Sequence, residues 1–146
     1  MKKLILPLVL LLSSINASAF RFDGINLNMP YTKVATEIAR RGYAYDSEHD
    51  CLRGNCQGTE IFLRLNYSDV KKKGMLGQLI VDVPMKNLGT SMEGVYMLFN
   101  VVYHQVSRTD DSITYAVDED GTRLCVSKRD DSTVVLTYFT PYYKAN

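Results

Sequence analysis

Residues 60–84, EIFLRLNYSDVKKKGMLGQLIVDVP, contain two apolar stretches that alternate with a period of two. Each stretch puts its apolar residues on one side of an extended chain: Ile61, Leu63, Leu65 and Tyr67 in the first, and Leu79, Val81 and Val83 in the second. Between them, Lys71-Lys72-Lys73-Gly74 is a turn signal. Because a short turn joins strands that run in opposite directions, this region predicts antiparallel strands with one buried face.

The same alternation continues towards the C-terminus. The stretches are SITYAV (112–117), TRLCVSK (122–128) and TVVLTYF (133–139), and turn signals separate them at residues 118–121 (DEDG) and 130–132 (DDS). Residues 20–25 and 43–46 are predicted to form further strands. The chain is therefore expected to be rich in hairpins.

Residues 28–42, NMPYTKVATEIARRG, have a helical period instead. Pro30 suits a first helical turn, and Gly42 suits the left-handed residue that follows a helix. The apolar residues recur at i, i+3, i+4, i+7 and i+8: Tyr31, Val34, Ala35, Ile38 and Ala39. We expect an amphipathic helix here.

Residues 90–107, TSMEGVYMLFNVVYHQVS, predict a second helix. Thr90 with Glu93 has the spacing of a capping box. Four valines weaken the helix propensity, but the length of the segment argues against a strand. The expected buried stripe is Val95, Leu98, Phe99, Val102 and Val106.

Single helices inserted among hairpins predict an α+β fold, in which an antiparallel sheet carries two helices on one face. An offset of 61 residues places Leu27, Val34 and Ile38 on Leu88, Val95 and Phe99. This favours a tandem (β)αβββ-αβββ repeat, with halves at residues 20–84 and 85–146 of a single domain.

The first 19 residues have the pattern of a cleaved signal peptide. Lys2 and Lys3 precede an apolar run that is shorter than the roughly 20 residues of a membrane span, and Ala17-Ser18-Ala19 fits a signal-peptidase site. Without the two lysines, 15 basic and 16 acidic residues leave a formal charge of −1. We expect a periplasmic or secreted protein that starts at Phe20, with no membrane span and no nucleic-acid partner.

Residues 20–43, FRFDGINLNMPYTKVATEIARRGY, resemble the opening of a group of small exported bacterial proteins of uncharacterised role. These proteins share an F-x-G-I start, a helix that ends in Gly-Tyr or Gly-Phe, and a repeated helix-plus-hairpin layout. The layout is also similar to the domain shape of β-lactamase-inhibitor-like proteins and outer-membrane-assembly lipoproteins. The resemblance implies an α+β fold of this kind.

Cys51 and Cys56 flank the turn-like Gly54-Asn55, which places them at the neck of a predicted hairpin. Facing Cβ atoms there are about 4.5–5.5 Å apart, so an exported chain would join them in a disulfide. Cys-x4-Cys is not a thioredoxin-like spacing, and a zinc site with His49 would need a fourth ligand such as Cys125. One periplasmic lysozyme-inhibitor family has a projecting loop of similar spacing, although this loop lacks the histidine of that family.

The remaining cysteine, Cys125, falls opposite Leu124 and Val126, on the less buried face of its strand. An unpaired thiol in an exported protein points to a homodimer through Cys125, to pairing with Cys51 or Cys56, or to a half-buried inert side chain.

No nucleophile–base set, phosphate loop or calcium loop is recognisable in the sequence, so we expect no catalysis, no cofactor and no metal. The chain has ten tyrosines, and apolar residues fall on the sheet face opposite the helices. We expect a protein-binding module that acts as an inhibitor of a cell-wall hydrolase or as an immunity protein against a toxin; the alternative is a structural accessory of the bacterial envelope. The predicted partner-binding residues are Leu52, Arg53, Asn55, Phe62, Ile80, Phe139, Tyr142 and Tyr143.

Overall fold

A computed structural model describes residues 20–145, so the predicted signal peptide at residues 1–19 lies outside the described part. A small hairpin comes first, with β1 at Arg21–Phe22 and β2 at Ile25–Asn26. The first half continues with helix α1 (Tyr31–Arg40) and strands β3 (Ala44–Asp46), β4 (Cys51–Cys56), β5 (Thr59–Asn66) and β6 (Gln78–Pro84). After a 3-10 turn at Met85–Asn87 come helix α2 (Met92–Val102) and strands β7 (His104–Arg108), β8 (Ser112–Ala116), β9 (Arg123–Asp130) and β10 (Thr133–Phe139).

Eight strands form one antiparallel sheet in the order β3-β4-β5-β6-β10-β9-β8-β7. Each helix is followed by a run of four strands, and the last strands of the two runs, β6 and β10, pair at the centre. The predicted α+β class is confirmed. The tandem repeat stays a prediction, although the residues matched at an offset of 61 are all buried.

The core lies between the helices and one face of the sheet. Val34 and Ile38 of α1 and Val95 and Phe99 of α2 are almost completely buried against the inward-facing residues of β5, β6, β8, β9 and β10. Buried and half-buried residues alternate strictly in β10, and in β5 buried residues alternate with more exposed ones from Thr59 to Arg64, so every second side chain lies on the opposite face. Both helices therefore cover the same face, and the other face stays open.

The first helix follows its prediction closely. Pro30 takes the N-cap position with φ −51° and ψ 139°, just before the first helical residue. Gly42 has φ +89°, the left-handed conformation expected after the helix end.

The second helix is shorter than predicted. It ends at Val102, Tyr103 is extended, and His104–Arg108 form the edge strand β7. Val106, predicted to be buried, is 44% exposed. The cap also differs by one residue, because Ser91 rather than Thr90 accepts the hydrogen bond from the Gly94 amide. Three of the four valines lie at or beyond the last turn, where weak helix propensity allows the chain to extend.

The predicted hairpin at the two cysteines is wrong. Cys51 to Cys56 form one strand, β4, which pairs with both β3 and β5. The turns lie outside it, at residues 47–50 and at Gln57-Gly58, where both residues have positive φ as a two-residue hairpin turn requires.

The predicted Cys51–Cys56 disulfide is therefore a further correction, and all three cysteines are free. The two residues are five positions apart in one strand, so their side chains point to opposite faces. At about 3.3 Å per residue, roughly 16 Å of backbone separates them. A disulfide requires Cα atoms within about 7 Å.

Candidate protein-docking face

The sheet face that the helices leave uncovered is named here the outer face. Most of its residues are half-buried, and the register of the strands places them side by side. The central members are Phe62 and Arg64 of β5, Ile80 and Asp82 of β6, Val135, Thr137 and Phe139 of β10, and Arg123, Cys125 and Arg129 of β9. The prediction that Phe62, Ile80, Val135 and Phe139 lie opposite the helices is confirmed.

An ionic cluster lies towards one end of this face. The carboxylate of Asp82 is 7% exposed and accepts hydrogen bonds from Arg64 Nη2 at 3.0 Å and from Arg129 Nη2 at 2.8 Å. Arg129 Nη1 lies 2.8 Å from the second Asp82 oxygen, so this pair is bidentate. The hydrogen bond to Asp82 raises the pKa of the Arg129 guanidinium. One carboxylate between two guanidiniums leaves one net positive charge.

Arg129 reaches Asp82 because β9 contains an irregularity. Thr133 pairs with Asp130, but Val134 pairs with Lys128, so Arg129 is the extra residue of a β-bulge. A bulge locally reorients the side chain of the extra residue. The guanidinium of Arg129 thereby spans β10 and reaches β6.

A groove of about 710 Å³ opens beside this cluster, with His49, Phe62, Pro84, Met85 and Thr133 in its wall. The His49 ring packs on Phe62 with centroids 4.8 Å apart. His49 Nδ1 lies 2.8 Å from Asp46 Oδ2, and this hydrogen bond is the main reason why the pKa of Asp46 falls below its usual value of 3.8. The loop between β3 and β4 therefore holds one wall of the groove in place.

Aromatic side chains mark the other end of the outer face. The rings of Phe139 and Tyr143 meet edge to face at 4.9 Å. The C-terminal segment is fixed by a bridge between Val70 and Tyr143 and by a hydrogen bond from the Lys71 amide to the Tyr142 carbonyl. Phe139 and Tyr143 are thus in contact, and the role of Phe139, Tyr142 and Tyr143 in partner binding stays a prediction.

The residues predicted to lie in a projecting loop instead lie in strand β4, where neighbouring side chains point to opposite faces. Leu52 points to the helix side and packs against the core, so it does not belong to the outer face, and its role in partner binding stays a prediction. Arg53 and Asn55 are exposed on the outer side of β4. Arg53 lies 3.8 Å from Asp46 and 3.9 Å from Glu60, within a strand rather than on a projecting tip.

Cys51 adjoins the ionic cluster but does not have the properties of a nucleophile. Its side chain is 6% exposed, and burial raises the pKa of its thiol. A catalytic cysteine needs a lowered thiol pKa. Cys56 lies in the core on the opposite face, where burial raises its thiol pKa to about 12. Within residues 20–145, no three His, Cys, Asp or Glu side chains are grouped as metal ligands would be.

The charges of the outer face nearly balance. Four arginines lie on it (Arg53, Arg64, Arg123 and Arg129) with three carboxylates (Asp46, Glu60 and Asp82), and a fourth carboxylate, Asp130, adjoins the bulge at Arg129. Sequence reasoning missed Arg64, Asp82, Arg129 and His49 as members of this surface. The detectable signal was Asp82 itself, a lone charge within the apolar strand QLIVDVP.

Among residues 20–145, no helix has the length and apolarity needed to cross a membrane. Comparisons of the chain with known protein families, with curated proteins and with solved structures find no match.

Proposed function

We propose that this chain is an exported, non-catalytic protein-binding module whose outer sheet face contacts the partner. The observation that carries the proposal is the pairing of an inner face packed against the two helices with an outer face that has no covering layer among the described residues. That outer face combines Phe62, Ile80 and Phe139 with exposed arginines. Aromatic residues and arginine are enriched at the centres of protein interfaces.

The chemistry of the face indicates what the partner presents. Apolar side chains in the middle of the sheet require an apolar patch that displaces water from them. The arginines and carboxylates around those side chains require polar groups of both signs on the partner, which would fix the orientation of the two proteins. A partly apolar protein surface bordered by charges of both signs fits both requirements.

A non-catalytic role is supported by the state of the cysteines. The thiol pKa values of Cys51 and Cys56 are raised by burial, so neither is activated as a nucleophile. His104, the second histidine of the chain, lies exposed on edge strand β7, away from the outer-face cluster.

Capture from periplasmic extract tests the docking face. Phe62→Ala and Phe139→Ala each remove a large apolar contact, and we expect each to reduce partner capture at least tenfold, because central aromatic residues contribute about 2 kcal/mol or more to binding. Met97→Ala is the matched control, because Met97 is 68% exposed on α2 on the opposite side of the sheet. Equal capture by all three variants would rule out the outer face, provided that circular dichroism shows native folding.

The function class is decided by activity assays with the purified protein. Inhibition of lysozyme-type or amidase activity would identify an inhibitor of a cell-wall hydrolase, and neutralisation of a toxin would identify an immunity protein. A captured partner whose activity is unchanged by binding would favour the alternative, a structural accessory of the bacterial envelope.

A further inference from the structure

The main-chain nitrogen of Phe20 is held by an acidic side chain. It donates a hydrogen bond of 2.6 Å to Asp118 Oδ2, across 98 positions of sequence. Asp118 lies in the loop between β8 and β9, and its other oxygen accepts from the Asp120 amide. A carboxylate held in place by its own loop thus presents one free oxygen to the first described residue.

The side chain of Phe20 also holds this residue in place, because it packs in the core. Its ring is 6% exposed and stacks on Tyr138 at a centroid distance of 5.0 Å, with the Tyr103 ring edge-on at 6.5 Å. Tyr138 is fully buried in the core. The nitrogen of Phe20 therefore stands at the boundary between the core and the Asp118 loop.

Phe20 is also the residue that follows Ala17-Ser18-Ala19, the predicted signal-peptidase site. We propose that cleavage between Ala19 and Phe20 creates an α-ammonium group that binds Asp118 and completes the fold. This inference rests on the export part of the proposed function. The group that binds the Asp118 loop is then the N-terminus that cleavage creates.

The chemistry balances with water as the only co-reactant. The Ala19–Phe20 C–N bond breaks, and the water oxygen bonds to the Ala19 carbonyl carbon. Both water protons end on the Phe20 nitrogen, leaving a carboxylate on Ala19 and an ammonium on Phe20. An α-amino group, with an ordinary pKa of about 7.7–8.0, is mostly protonated at neutral pH.

Processing thus converts an amide hydrogen bond to Asp118 into an ammonium–carboxylate pair, which is the stronger interaction. The buried Phe20 ring sets the order of events: the peptidase must act before residue 20 enters the core. The unprocessed chain keeps the hydrogen bond but gains no ion pair.

Two measurements test the proposal. The full chain is expressed with its leader in a bacterial host, and the mass of the exported product is expected to correspond to a start at Phe20. Chains that begin at Phe20 and at Ala19 are then prepared from fusions whose removal leaves no extra residue. We expect the chain that starts at Phe20 to melt roughly 2–5 °C higher, on the scale that one added ion pair gives a domain of this size.

Asp118→Asn should abolish that difference while keeping the size of the side chain, and Glu119→Gln on an exposed neighbour in the same loop should preserve it. Acetylating the α-amine of the Phe20 chain provides a second route, because it removes the charge without altering Asp118. A mature start other than Phe20, or an equal difference in Asp118→Asn, would overturn the inference. Failure of partner capture would remove the binding role and leave this result unaffected.

Discussion

Asp82 illustrates what can and cannot be predicted for a single side chain. Its outward direction follows from the alternation of QLIVDVP, which is local information. Its partners do not follow, because Arg64 is 18 positions away and Arg129 is 47. The second contact also depends on the bulge at Arg129, and no spacing rule in the sequence marks that bulge. A charge within an apolar strand is therefore a signal for a partner but does not identify it.

Replacing Asp82 with Asn should destabilise the protein. The variant leaves two guanidinium groups adjacent without a carboxylate between them, and we expect a loss of about 1–3 kcal/mol in the free energy of unfolding. Urea denaturation followed by circular dichroism measures it. Asp131→Asn is the control, because the Asp131 side chain is 99% exposed in its pair with Lys128, and its denaturation midpoint should not move. An unchanged midpoint for Asp82→Asn would show that the cluster does not stabilise the fold.

The Asp46–His49 pair predicts a pH dependence. The folded pKa of Asp46 is lowered, first by the His49 hydrogen bond, so ionised Asp46 stabilises the fold above its unfolded pKa of about 4. This contribution is lost as the pH falls through the folded value. Thermal melts of Asp46→Asn should therefore lie below those of the natural chain near neutral pH and converge with them in strong acid. A gap that stays constant over the acidic range would contradict this account.

Strands β4 and β7 show why local sequence patterns fail to predict some elements. Gly54-Asn55 resembles a turn, yet Gly54 sits inside β4 because the Tyr43 ring lies against it. The valines after Val95 continue an apolar pattern, yet the chain becomes extended at Tyr103 to reach the sheet. In both places a contact made elsewhere in the fold overrides the local preference. Strands β6 and β10 were predicted to the residue because their alternation matches their burial.

Gly54→Ala tests the close approach in β4. A Cβ atom at this position would overlap the Tyr43 ring, so the ring or the strand must shift. We expect a loss of about 1–3 kcal/mol in the free energy of unfolding, typical of overpacking. Asn55 is an exposed neighbour in the same strand, and Asn55→Ala should have the same denaturation midpoint as the natural chain. Equal midpoints for the two variants would mean that the Tyr43 ring moves aside freely.

In the molecule as a whole, the three cysteine thiols differ in their exposure to solvent. Cys51 and Cys56 are buried, and Cys125 is half-buried on the outer face between Thr137 and Thr114. The homodimer through Cys125 stays a prediction. Because Cys125 lies on the outer face, the prediction bears on partner binding. A disulfide there would bring two outer faces together, so dimerisation and partner binding should exclude each other.

Non-reducing electrophoresis after mild oxidation checks this. We expect a dimer that disappears in Cys125→Ser and persists in Cys51→Ser, because the Cys51 side chain is only 6% exposed. The isolated dimer should capture less partner than the reduced monomer. A dimer that survives Cys125→Ser would assign the bond to another thiol and separate oxidation from the docking face.

The position of β10 affects how the chain folds during its synthesis. The last strand of the chain is inserted between β6 and β9, and its seven residues pair with both neighbours. Until the ribosome has released residues 133–139, no strand joins β6 to β9, and the core between the two halves of the sheet stays open. Closure of the core therefore comes late in synthesis. A stop codon before residue 133 would split the protein at its centre instead of trimming one end.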